Sequence, residues 1–268
     1  MIESTAFEGV TQIRMSREIA GKSVYWVAAY LVDGLLIDTG CSYTAGELVA
    51  FLDDRPVRQV VNTHFHEDHV GGNYLLQTRI GVEVCAPADS VPLIGREAKL
   101  FPYQEVVWGY PQPTKVKPLQ SVIRTEHHTF DVIDTPGHSV GHASLVEMER
   151  GWCFSGDIFA REQMKFIRPE EEMGETVTSL GKLIALPTNR LILFTSVGRI
   201  IEEGRQALRS CINSIEDLSR RAKALEQEGL GVAEIMQRLF GGEHSFSQLT
   251  NGQYTTENLI RSVLRMVG

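Results

Sequence analysis

Cysteine is scarce in this chain: four residues in 268, Cys41, Cys85, Cys153 and Cys211, with no C-x-x-C pair among them. That scatter supports neither a disulfide framework nor a cysteine-built zinc site, and it predicts reduced thiols in a cytoplasmic protein. Long apolar runs are also missing, and none approaches the ~20 residues that cross a bilayer, so no membrane partner is expected. Runs of lysine or arginine are absent and the formal net charge is -8. A partner with a phosphate backbone needs a basic footprint, so nucleic acid is excluded on the same ground. Met1–Thr5 lacks the basic and apolar regions of a signal peptide, and no export is expected. What remains is 43% apolar and 22% charged, an ordinary soluble composition. The length permits one large domain or a core with an appendage.

Histidine, by contrast, is concentrated. Three of the eight lie in Thr63-His64-Phe65-His66-Glu67-Asp68-His69, followed by Val70-Gly71-Gly72. The run Arg58–Asn62 before them reads as a short buried strand, which places the cluster on the loop at its end. Imidazole and carboxylate together suit a borderline divalent ion such as zinc, iron or manganese. His64 and His66, two apart on an extended segment, can face one ion. Asp68 and His69, past the bend, can face a second, and the glycines let the chain pass close by.

Around this loop, strands and helices alternate, which argues for a mixed α/β domain with helices outside the sheets. Val24–Val32 and Leu35–Ile37 flank Asp33-Gly34, a hairpin signal. Tyr43–Leu52 has helical spacing, Gly72–Gln77 starts another helix, and Val82–Ala86 is a strand ending at Pro87. Between Val91 and Leu119 five prolines interrupt the pattern while Phe101, Tyr103, Trp108 and Tyr110 crowd its middle. This stretch reads as a lid over an apolar pocket, with Tyr103, Trp108 and Tyr110 as substrate contacts. Thr129–Asp134 alternates as a half-buried strand, and Ala143–Met148 and Trp152–Phe154 form a further hairpin. Arg190–Phe194 is the next buried strand. From Ile201 onward, Ala207, Leu208, Cys211, Ile212, Ile215, Leu218, Ala222 and Leu225 form one helical stripe ended by Gly229. Val232–Phe240 and Glu257–Met266 follow as shorter helices, the last capped by Thr255 or Thr256.

At the histidine loop the sequence resembles the metallo-β-lactamase superfamily, whose signature is H-x-H-x-D-H. Asp38-Thr39-Gly40 resembles the superfamily's first motif, in which Asp38 would hydrogen-bond a ligand imidazole and fix its tautomer. Thr135-Pro136-Gly137-His138-Ser139-Val140-Gly141-His142 resembles the third, in the form seen in glyoxalase II-like hydrolases. By that resemblance His138 completes the first metal site with His64 and His66, whereas His142 is structural and stands outside the ligand set. Ser155-Gly156-Asp157 matches the fourth motif, and Asp157 would bridge two ions. The chain then departs from the pattern. Where the family has a last histidine, Thr195-Ser196-Val197-Gly198-Arg199 puts Val197, which cannot ligate. The second site is left with Asp68, His69 and Asp157.

The resemblance implies an α/β fold, the metallo-β-lactamase αββα four-layer sandwich, with residues 1–204 as that domain and 205–268 as a C-terminal helical extension. It further implies a metal-dependent hydrolase of an ester, thioester or lactone-type bond, with metal-bound hydroxide as nucleophile and Asp68 accepting its proton. One or two divalent ions per chain are expected, zinc first, with iron or manganese as the alternatives. The expected partner is a small-molecule acyl substrate, such as a hydroxyacylglutathione-type thioester. The helical tail would contribute to the pocket or to a homodimer. Two other readings are a mononuclear iron enzyme of the persulfide dioxygenase type, using His64, His138 and Asp157, and a metal-binding regulatory protein with little turnover.

Overall fold

Asp33 and Gly34 have φ of 48° and 79°, the left-handed pair that matches the twist of a tight hairpin. Val27–Val32 and Leu35–Ile37 therefore fold back on each other antiparallel. This hairpin lies within a seven-stranded sheet, ordered Ile2–Phe7, Val10–Met15, Val27–Val32, Leu35–Ile37, Gln59–Val61, Glu83–Ala86 and Lys117–Pro118. From Leu35–Ile37 onward the pairings are parallel. Parallel neighbours need crossovers, and the helices Ala45–Phe51 and Asn73–Arg79 supply the first two. The structure, a computed structural model, describes residues 1–267.

A second sheet of six strands runs Val122–Arg124, Thr129–Asp134, Ala143–Glu147, Trp152–Gly156, Ile192–Thr195 and Ile200–Ile201. Only Trp152–Gly156 and Ile192–Thr195 pair in parallel, and the helix Met173–Ile184 lies in the crossover between them. The two sheets face each other across one apolar layer. Tyr30, Ile37 and Val61 from the first meet Phe130, Leu145, Phe154 and Phe194 from the second. Phe154 and Phe194 stack at 4.8 Å, with Tyr30 edge-on to both. Each such fully buried side chain contributes about 1.5–3 kcal/mol relative to exposure.

The outer faces are covered in turn. Leu36, Val60 and Val84 pack against Leu48 and Leu76 of the first helical layer. Cys153, Leu191 and Leu193 pack against Leu180, Leu208, Cys211, Leu259 and Ile260 of the second. The result is the αββα sandwich. The tail stripe read from the sequence is the buried face of Gly204–Gln227, and Val232–Phe240 and Thr256–Arg265 complete the tail's longer helices. Thr255 caps the last, its hydroxyl accepting from the Asn258 amide at 2.9 Å. The stretch between 91 and 119 is more ordered than a loop. It contains the short helices Val91–Ile94 and Pro102–Val107 and ends in the edge strand Lys117–Pro118.

Candidate metal centre

Five strand ends converge on one edge of the sandwich. Asp38 follows Leu35–Ile37, the histidine loop follows Gln59–Val61, and His138 follows Thr129–Asp134. Asp157 follows Trp152–Gly156, and Ser196-Val197 follows Ile192–Thr195. Close approach explains two glycines of these loops. A Cβ at Gly71 would lie 2.3 Å from the backbone of Cys41, and one at Gly156, whose φ is +51°, would lie 2.6 Å from His142 Nε2. Asp38 itself sits at φ 60°, a left-handed conformation costly for a side chain with a Cβ.

His64, His66, His138 and Asp157 each offer one donor atom, and these four lie within 4.8 Å of one another. His64 Nε2 and His138 Nε2 are each 3.0 Å from His66 Nδ1, and His138 Nε2 is 3.3 Å from Asp157 Oδ2. Donors bonded at about 2.0 Å to a tetrahedral ion stand about 3.3 Å apart, so the spacing fits one divalent ion. Beside it, His69 Nε2 is 3.2 Å from Asp157 Oδ1 and 3.9 Å from Asp68 Oδ2. His69 Nε2 and Asp68 Oδ1 are buried without a hydrogen-bond partner among the described residues. Two orphaned buried polar atoms of this kind are costly unless something binds them, and they suit a second ion. Val197 lines the same cavity as Asp68, His138 and Asp157, and its side chain carries no ligand atom.

The supporting contacts fix each ring. Asp38 Oδ2 holds His69 Nδ1 at 2.8 Å, while Asp38 accepts the Thr63 amide at 2.8 Å and hydroxyl at 2.9 Å. Asp38 thus touches an imidazole of the cluster. His142 is consumed elsewhere: its Nε2 accepts the Asp157 backbone amide at 3.1 Å and its Nδ1 meets Thr135 Oγ1 at 2.9 Å. That geometry leaves His142 no nitrogen for an ion, and it orients the Asp157 turn instead. Glu171 Oε2 lies 3.4 Å from His138 Nδ1.

Burial, with the neighbouring His69 and Arg168 respectively, lowers His64 and His66 well below the ordinary histidine range, so both are neutral. Burial would lower His69 and His138 too. For His69 the carboxylates of Asp38, Asp157 and Asp68 outweigh it and raise the value well above normal, and for His138 Asp157 and Glu171 raise it. Asp157 is held well below the carboxylate range because His69 and His138 overcome its burial. Asp68 goes the other way, pushed up by burial to about 7.

The cluster opens into a cavity of about 730 Å³. Of the three aromatic residues assigned to substrate, Tyr103 and Trp108 line it; Tyr110, exposed on the surface, lies outside its lining. Sequence reasoning missed Arg168, a buried guanidinium whose Nε donates to Tyr254 Oη at 2.7 Å and whose Nη1 is 3.2 Å from His66 Nε2. Its Nη2 stands 3.7 Å from Glu67, which also accepts from Gln104 Nε2 at 2.7 Å. Nothing in the Phe166-Ile167-Arg168-Pro169 run marks that arginine as buried. Only the fold brings positions 66, 67, 168 and 254 together.

A family model described as the metallo-beta-lactamase superfamily matches residues 27–195. A hydroxyacylglutathione hydrolase from Methylococcus capsulatus is 29% identical over 192 residues, 67% of this chain and 68% of that protein. The chain spans about half the length of most curated relatives it matches. Among solved structures, a beta-lactamase domain protein from Burkholderia ambifaria superposes with a TM-score of 0.71 at 19% identity, over 98% of this chain and 88% of that one. A protein solved in a di-iron-bound form gives 0.57 at 27% identity, over 67% and 91%.

Proposed function

Because this chain belongs to the metallo-beta-lactamase superfamily, we propose that it is a metal-dependent hydrolase of an ester, thioester or lactone-type carbonyl. The observation that carries the reading is the convergence of four donors, His64, His66, His138 and Asp157, with Asp68 beside them on the floor of an apolar cavity. A divalent ion held by those donors supplies Lewis acidity to a carbonyl and acidifies water. Zinc is the first candidate, with iron and manganese next, because imidazole and carboxylate suit all three.

The chain's own residues do the rest. Neutral His64 and His66 are ready to ligate without losing a proton. Asp157 is held in place through its amide by His142. Asp68 Oδ1, buried and unpartnered, is placed to take a proton from the attacking water and to return it to the leaving group. Four buried free cysteines agree with a reducing, cytoplasmic setting. Among the described residues no helix is long and apolar enough to cross a membrane.

The test is a panel of short-chain thioesters, esters and lactones offered to metal-loaded protein. Metal-stripped protein and Asp68→Asn serve as controls. Turnover that needs metal and falls about 10²- to 10⁴-fold in Asp68→Asn supports the reading. Silence across the panel from fully metallated protein contradicts it and favours a binding role.

A further inference from the structure

The cavity is built unequally. Its floor is polar and buried, with Asp68 and His138 only 7% and 6% exposed. Its rim is open and largely apolar: Val106 is 50% exposed and Leu249 is 71% exposed, with the exposed side chains of Arg161 and Lys165 beside them in the lining. Of the thirteen large apolar side chains exposed among the described residues, four, Val24, Tyr25, Val106 and Leu249, line this one cavity. Such a concentration leaves apolar area in water that a ligand can cover. Between floor and rim stand Trp108, Met164 and Phe166, with Phe246 on the tail side. The wall therefore joins three distant parts of the chain: the helix Pro102–Val107, the segment after Asp157, and the short tail helix Phe246–Leu249.

We propose that the acyl side of the substrate is an unbranched apolar chain of medium length, lying from the metal centre outward along Trp108 and Phe166 to Leu249. The inference rests on the hydrolase reading for the position of the carbonyl, but the chain-binding wall stands apart from the reaction. A cavity of about 730 Å³ falls in the range that holds most of a drug-sized ligand. An acetyl or hydroxyacyl group would reach only the polar floor and leave the rim bare. A longer chain covers Val106 and Leu249. Each methylene buried against this wall is worth about a fourfold gain in affinity.

The experiment separates the two claims. Straight-chain 2-alkanones, neutral and resistant to hydrolysis, are titrated into the protein from butanone to undecanone by calorimetry and by tryptophan fluorescence, which Trp108 should report. A parallel series of acyl thioesters of increasing length is offered to the metal-loaded protein. Affinity for the ketones should rise about fourfold per methylene until the chain reaches solvent. Leu249→Lys, at an exposed position where folding is unaffected, should flatten the long end of that series and leave the short end unchanged. Phe246→Ala should flatten it from a shorter length. A ladder in ketone binding without hydrolysis of any thioester upholds the pocket assignment and removes thioesters from the hydrolase reading. Ketone affinity that is independent of length, or a ladder untouched by both variants, overturns the proposal whatever the protein hydrolyses.

Discussion

Two half-sites share Asp157, and they differ in completeness. The first has three imidazoles and a carboxylate oxygen, all within 4.8 Å of one another and three of their contacts at 3.0–3.3 Å. The second has Asp68, His69 and the other oxygen of Asp157, while Val197, which lines the same cavity, carries no ligand atom. The difference teaches that two sites sharing a bridging carboxylate need not be equally strong. The first has a full set of donors, whereas the second relies on three donors and a well-held His69. We therefore expect two binding steps of unequal strength.

The largest effect should come from breaking the stronger half. His66→Ala removes the imidazole that lies 3.0 Å from both His64 and His138. The tight binding step should disappear, and turnover should fall about 10³-fold or more, since metal assistance supplies several kcal/mol at 1.36 kcal/mol per decade. Metal analysis and steady-state rates check this together. Strengthening the weaker half is the complementary test. Val197→His should tighten the second step about 10- to 100-fold, the scale on which supporting groups tune metal sites. A zinc titration of parent against variant measures it.

Acidity should separate the halves further. At the second site His69 is held charged and Asp68 is raised to about 7, so two protons must leave before both can ligate. At the first site His64 and His66 are already neutral, and only the raised His138 has a proton to lose. A raised pKa in the free protein means that protons compete harder as pH falls. Second-step affinity should therefore drop more steeply than first-step affinity on acidification through about pH 7, by up to about tenfold per unit for each proton displaced. Metal titrations across that range, with proton release followed by an indicator, check the slope. The smallest effect on metal should come from His142→Ala. It removes the acceptor for the Asp157 amide and should cost about 1–3 kcal/mol in stability. Both ions should remain, as read by thermal unfolding and metal content.

Much of this arrangement was legible because it depends on neighbours in sequence. The histidine loop, the hairpin at Asp33-Gly34 and the helical stripe from Ala207 to Ala222 each announce themselves by local spacing. Arg168 was not legible, since its partners His66, Glu67 and Tyr254 lie about a hundred residues before it and 86 after it. Tyr110 shows the opposite error. Its aromatic neighbours suggested a shared lid, but the turn after Trp108, with Gly109 at φ +75°, leaves Tyr110 exposed while Trp108 stays buried. Periodicity can mark a residue as apolar, yet only the fold decides which cavity it faces.

The most direct test of the unequal pair is a calorimetric zinc titration of chelator-stripped protein, with ions counted per chain at each step. The account predicts one ion bound tightly and a second bound more weakly, with the first step absent in His66→Ala. Two steps of equal strength, or a first step that survives the loss of His66, would contradict it.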